Sequence, residues 1–331
     1  MPLWLTLGLV IAIAAVLYAE FINGWTDAPN AIATVVSTGV MTPRNAVVMA
    51  VVLNTAGAMA GTAVAATVGK GIVESKFLTL PAITAAMTAI IVWGTFAAKV
   101  GLPISKSHAL LAGLAGAGLA GGGFAALQSS GWTKVFIGMF CAIPFGFVAS
   151  ILLGKLIIRL AGQMRPGRAK PTFDRLQIAS AGFMAFNHGL NDGQKFMGVF
   201  AMTLFIGGAT SAFEIPWWVI VLCALTMGAG TAAGGWRIIE TLGAKMTRIV
   251  SWQGFVAEAA ASSTIFVASM FGIPLSTTHT ITSCIVGVGA SRRIGDVRWG
   301  VLKKIVLAWV VTFPVCGVIA YAAALLANRL F

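Results

Sequence analysis

The strongest constraint on how this chain folds is the recurrence of apolar stretches about 20 residues long, the length a helix needs to cross the hydrocarbon core of a bilayer. They fall at 3–22, 46–69, 78–98, 104–125, 135–158, 216–236, 249–270 and 305–327, each with almost no charge. Shorter stretches broken by polar residues lie at 23–43, 176–206 and 273–290. Only 9% of the 331 residues are charged, against about 25% in an ordinary soluble domain. The pattern predicts an all-α membrane protein of roughly 10–12 membrane segments, with no room for a soluble catalytic domain. The first stretch has no basic flank and carries Glu20 where a cleavage site needs small residues, so it reads as retained rather than as a leader.

A net charge of +13 would point to nucleic acid in a soluble protein. Here the lysines and arginines sit in short loops between apolar runs, where they set orientation against an anionic inner leaflet. Nucleic acid is therefore not an expected partner; the lipid bilayer is. Cys141, Cys223, Cys284 and Cys316 all fall inside apolar stretches without metal-type spacing and read as small hydrophobes.

The chain also repeats itself. "FINGWTDAPNAI" from Phe21 aligns with "FNHGLNDGQKFM" from Phe186, placing Asp27 on Asp192. "GLPISKSHALLAGLAGAG" from Gly101 aligns with "GIPLSTTHTITSCIVGVG" from Gly272, placing Ser105 on Ser276 and His108 on His279. Between these pairs "GTAVA" at Gly61 answers "GTAAG" at Gly230, and beyond them Pro144 answers Pro314. This divides the chain into an N-terminal transmembrane repeat at 1–160, a basic cytoplasmic linker at 161–175 and a C-terminal transmembrane repeat at 176–331. Matched loops differ in charge: 291–304 is strongly basic, with Arg292, Arg293, Arg298, Lys303 and Lys304 against Asp296, whereas 121–134 carries only Lys134. Loop 41–46 has Arg44 where 206–215 has Glu214, and 237–248 is slightly more basic than 70–78. By the positive-inside rule the two halves then have inverted topology, with both termini outside.

Each half carries two polar islands. In "NGWTDAPN" and "NHGLNDGQK" an acid stands among amides, glycine and proline; Gly24, Pro29, Gly189 and Gly193 read as helix interruptions, tolerated in a membrane only where freed backbone groups line a cavity or are buried in protein. Asp27 and Asp192 are then intramembrane acids that need a cation, or else helix caps or acids in an interface loop. In "PISKSH" and "PLSTTH" the prolines precede helix starts, Ser105 and Ser276 are good N-caps, and the free amides of two helix N-termini make an anion site. Ser105, Ser107, Ser276, Thr277 and Thr278 each have a hydroxyl proton to donate. His108 and His279 either pack against neighbouring helices or face the ligand. Gly113, Gly116, Gly118 and Gly121 read as close helix packing. Anion donors beside carboxylates make a poor anion site unless cations enter too, which is the signature of a cation-coupled anion symporter.

These islands resemble the signature motifs of the inorganic phosphate transporter (PiT) family, over nearly the whole chain. The resemblance implies phosphate held by Thr26, Asn30, Ser105, Ser107, Asn191, Gln194, Ser276, Thr277 and Thr278. It implies a coupling cation bound or exchanged by Asp27 and Asp192, which would be metal ligands only if that cation is Na+. The chain departs from the pattern at Thr26, where the family has Asn, and at Lys106 and Ser107, where it has Thr-Thr. It departs again at Lys195, which stands in place of the second Asn of its motif. A fixed ammonium at Lys195 would supply the charge that Na+ otherwise brings, so H+ is favoured as the coupling ion.

The expectation is a phosphate importer in a prokaryotic plasma (inner) membrane, multi-pass, not an enzyme and without a cofactor. It would work by alternating access of two inverted halves with broken or re-entrant helices at the midplane, and would form a homodimer. A sulfate-type oxyanion symporter and a passive anion channel are the alternatives. Lys106 has no basic counterpart at Thr277 and is expected to point away to the cytoplasmic mouth.

Overall fold

The structure, a computed structural model, describes residues 3–330 except 248, 293, 294 and 296. Arg248, Arg293 and Asp296, which enter the loop-charge comparison, lie outside the described residues. The first half runs α1 Leu3–Asp27, α2 Pro29–Ser37, α3 Pro43–Met59, α4 Ala63–Gly71, α5 Leu80–Val100, α6 Lys106–Gly122 and α7 Ser129–Ala161. The second runs α8 Pro166–His188, α9 Gln194–Ile206, α10 Trp217–Ala233, α11 Trp236–Glu240, α12 Ser251–Met270, α13 Thr277–Arg292 and α14 Trp299–Leu330. Among the described residues there is no β-strand, only two isolated bridges at matching places in the halves, Val73 with Leu127 and Thr247 with Val297.

Local chemistry explains the element ends. Thr42, Thr79, Ser105 and Ser276 accept backbone N–H groups three residues on, and Pro29 and Pro43 supply helix starts whose missing N–H costs nothing. Gly101 and Gly272 stop α5 and α12 in the left-handed region, at φ 73° and 63°, which only glycine adopts freely. The chain then turns through Pro103 or Pro274 into α6 or α13. Within residues 161–175, four residues separate α7 from α8, and Pro166–Arg175 form the first turns of α8.

Five described helical spans are long and apolar enough to cross a membrane alone, or up to seven if each bent pair counts as one. The apolar runs at 46–69 and 216–236 fall on these bent pairs. α3 meets α4 at 66°, and α10 meets the span of α11 at 67°. The breaks fall at Gly61 and at Gly234–Gly235, and their freed polar groups find side-chain partners. The Val64 N–H donates to Gln194 Oε1 at 2.9 Å, and Trp25 Nε1 donates to the Gly234 carbonyl at 3.0 Å. The long helices α7 and α14 carry exposed Phe140, Phe145, Leu152, Leu307, Val310 and Val318, apolar faces suited to lipid.

The halves are interleaved rather than set side by side. α6 packs on α14 as α13 packs on α7; α1 packs on α10 as α8 packs on α3; α4 packs on α9 as α11 packs on α2. Close backbone contacts follow the same exchange. A Cβ on Gly57 would lie 1.9 Å from the Phe186 carbonyl oxygen, and one on Gly230 would lie 2.2 Å from that of Phe21. Phe21 and Phe186 are equivalent in the sequence repeat, so Gly57, not Gly61, occupies the place of Gly230. Small residues at such crossings let backbones touch, and this close packing is one of the forces that associate helices where lipid surrounds the protein.

Candidate functional site

The first-half island does not interrupt its helix at Gly24. α1 continues to Asp27, yields only at Ala28, and α2 restarts with Pro29. In the second half, Gly189–Gly193 form a single π-turn inside an otherwise continuous helix, a device that occurs often at functional sites.

The π-turn places His188, Asp192 and Lys195 together. Lys195 Nζ forms a short ion pair with Asp192, and also donates to Ser107 Oγ at 2.6 Å and to the Leu275 carbonyl at 2.7 Å. Asp192 Oδ2 accepts from Thr277 Oγ1 at 2.8 Å, and His188 Nε2 lies 3.3 Å from the same oxygen, while Lys195 takes Oδ1. The ammonium thus sits within a full shell of oxygens, which is how a buried lysine is satisfied.

The first half builds a looser counterpart. Asp27 Oδ1 lies 3.5 Å from Lys106 Nζ, and Thr278 Oγ1 lies 3.4 Å from Oδ2. The expectation that Lys106 points to the mouth is overturned: the residue is 2% exposed and turned inward. Its Cα–Cβ bond tilts toward the N-terminus of α6, as in any helix, and that end faces the junction of α1 and α2. Gly94 of α5 leaves room for the stem, since a Cβ there would meet Lys106 Cε at 3.0 Å.

Between the two pairs lie the hydroxyls. Asn30 Nδ2 donates to Thr278 Oγ1 at 2.9 Å and lies 3.4 Å from Thr277 Oγ1. The first turns of α6 and α13 are tied by reciprocal bonds: Ser107 Oγ donates to the Leu275 carbonyl at 3.2 Å, and Thr278 Oγ1 to the Ile104 carbonyl at 3.3 Å. Ser107 and Thr278 are equivalent in the repeat, as are Ile104 and Leu275. His108 and His279 meet edge to face at 4.5 Å, and the His279 ring also lies 3.8 Å from that of Trp309 at a tilt of 38°. Neither ring nitrogen of His279 has a hydrogen-bond partner, which fits packing better than catalysis.

Of the predicted site residues, the structure brings together Asp27, Asn30, Ser107, Asp192, Lys195, Thr277 and Thr278. Ser105 and Ser276 stand beside them as helix caps, accepting at 3.2 and 3.3 Å from the amides of His108 and His279 while each keeps a proton to donate. Three others are turned elsewhere. Gln194 caps α4, Asn191 donates to Ser269 Oγ and the Ile273 carbonyl, and Thr26 bonds back to the Ile22 carbonyl at 2.7 Å, its hydroxyl only skirting Asp27 Oδ1 at 3.4 Å. Sequence reasoning passed over His188, although it lies inside the quoted motif, four residues before Asp192 and hence on the same helical face. It also passed over Glu258, buried in α12, where Thr34 and Ser180 donate to it across short contacts. A lone acid in an apolar stretch was the available signal. Asp27, His188 and Asp192 offer donor atoms within 4.8 Å of one another, close enough to share one cation.

Comparison with known proteins bears on this paired arrangement. The profile of the phosphate transporter family matches residues 23–168 and again 159–320, one copy on each half. The chain belongs to the phosphate transporter family. Among its relatives, a "probable low-affinity inorganic phosphate transporter" of Rhizobium meliloti is 43% identical over 314 residues, covering 94% of each chain. One of the same description from Bacillus subtilis is 38% identical over 334 residues, covering both chains fully. Among solved structures, "The sodium-dependent phosphate transporter" superposes with a TM-score of 0.90 over 98% of this chain and all of that one, at 23% identity. That likeness is one of fold. With its membrane-length helices, this member of the phosphate transporter family is a multi-pass membrane protein.

Proposed function

We propose that this protein imports inorganic phosphate across a prokaryotic plasma membrane by proton symport, by alternating access of two inverted halves, and catalyses no reaction. The observation that carries the reading is Lys195. Its ammonium lies among Asp192, Ser107 and the Leu275 carbonyl, where a coupling cation would otherwise be coordinated. Two aspartates and two lysines cancel in formal charge, so an entering anion must bring positive charge with it or leave an uncompensated charge in the membrane interior. Ammonium groups, hydroxyls and two opposed helix N-termini suit a tetrahedral oxyanion. Asp27 and Asp192 supply acceptors for a phosphate hydroxyl that sulfate lacks, which favours phosphate. Asp27, His188 and Asp192 support a second reading, in which Na+ is bound by this cluster. Two protomers of this chain would form the working unit.

The test is uptake of labelled phosphate by proteoliposomes under separately imposed gradients. Uptake should follow an inward proton gradient, ignore Na+ and resist competition by sulfate; dependence on Na+ alone would move the assignment to the second reading.

A further inference from the structure

We propose that Glu20 is a proton-binding site of the transport cycle, loaded as the neutral acid when phosphate occupies the neighbouring centre. The inference rests on the proton-coupled reading above and names a group that carries the proton.

Glu20 lies two helical turns before Asp27 in α1, and it is fully buried. Its hydrogen-bond partner is Asn23, whose Nδ2 donates to Oε2 at 3.1 Å. The other carboxyl oxygen, Oε1, has no hydrogen-bond partner, and neither has Asn23 Oδ1. Two buried acceptor oxygens without donors, three residues apart on one helix face, are what a single added proton satisfies. On the acid, Oε1–H becomes a donor and Asn23 Oδ1 is a free acceptor for it.

The surroundings supply no cation of their own for a carboxylate here. α1 is packed by α10, α5, α9 and α2. From these elements and the π-turn, the titratable groups acting on Glu20 are the Cys223 thiol, Lys195 and Asp192, with Asp27 from α1 itself. Lys99, the charged residue of α5, is exposed near the C-terminus of that helix, and α2 has none. Lys195 is already paired with Asp192, and Lys106 with Asp27. An ionised Glu20 would thus be a third carboxylate sharing two ammonium groups in the membrane interior, an arrangement heavily penalised.

This placement gives coupling a physical form. A phosphate drawn to Lys195 and Lys106 offsets their positive charge, so the potential at Glu20 becomes more negative and a proton binds there more readily. Linkage makes the effect reciprocal: the proton on Glu20 favours phosphate at the centre to the same extent. The step is association of one proton with one carboxylate on one side of the membrane and its release on the other.

Reconstituted wild type and Glu20→Gln are compared for pH-driven uptake, phosphate–phosphate exchange and phosphate-induced proton uptake reported by a trapped pH dye. The expected result is a fall of about tenfold or more in pH-driven uptake and in protons taken up per phosphate, with exchange continuing. Wild type that fails to respond to a pH gradient would sink the symport reading itself. Wild type that responds, with E20Q keeping the same proton-to-phosphate ratio, overturns Glu20 alone. Should E20Q also lose exchange, infrared difference spectra of wild type and Glu20→Asp with and without phosphate decide. A carboxylic C=O band that phosphate raises in wild type and that moves in the Asp variant supports the proposal; a band unaffected by either refutes it.

Discussion

The two halves contribute the same elements to the centre but finish them differently. In the second half, Asp192 meets Lys195 at one oxygen and both Thr277, at 2.8 Å, and His188, at 3.3 Å, at the other, and the lysine is itself fully coordinated. In the first half, Asp27 has Lys106 at 3.5 Å and hydroxyls no closer than 3.4 Å. The lysine of one pair lies three residues from its acid on the same segment, while that of the other arrives from a different helix. A locally built pair keeps its geometry whenever its segment is folded, whereas the cross-helix pair depends on how α1 and α6 stand relative to each other. The second-half pair is thus the more rigidly held of the two.

The largest effect should come from Lys195→Met, which leaves Asp192 buried without its cation. Breaking such a pair costs about 3–5 kcal/mol, so phosphate uptake in proteoliposomes should fall by at least about a hundredfold. Lys106→Thr should cost less, about 1.5–3 kcal/mol for a looser charged contact, read as a roughly tenfold or larger loss of phosphate affinity by calorimetric titration. Equal damage from the two would erase the asymmetry. One step smaller, Thr277→Val removes the 2.8 Å donor to Asp192 and should weaken binding about tenfold, with Thr278→Val close to it because Asn30 also loses its acceptor. Smallest of all, Ser105→Ala and Ser276→Ala each remove an N-cap worth about 1 kcal/mol. Thermal melts in detergent should show two similar losses of stability, and unequal ones would locate the difference between the halves in the scaffold rather than at the acids.

Much of this was legible in the residues. Apolar stretches of bilayer length dictate helices, and Ser105 and Ser276 restart them behind Pro103 and Pro274, all by local rules. Asp27 and Asp192 stood out because an acid in hydrocarbon needs a partner. What escaped was long-range. Lys106 sits in sequence like any loop lysine, and only the notch at Gly94, on a different helix, shows why it can turn inward. Gln194 matched a ligand position in the motif but serves the broken end of α4, a demand created by a bend at Gly61 that hydropathy averages into one straight span. Gly57 could not be told from Gly61 as the partner of Gly230, because the helices that press against them are supplied by the opposite half.

The reciprocal bonds between Ser107 and the Leu275 carbonyl, and between Thr278 and the Ile104 carbonyl, make the two jaws each other's ligand. A hydroxyl has a single proton to give. In the transport cycle proposed above, either residue would have to let go of the facing helix to serve an arriving oxyanion, so occupancy and unlatching would become one event, with the cargo as the key that withdraws the bolt.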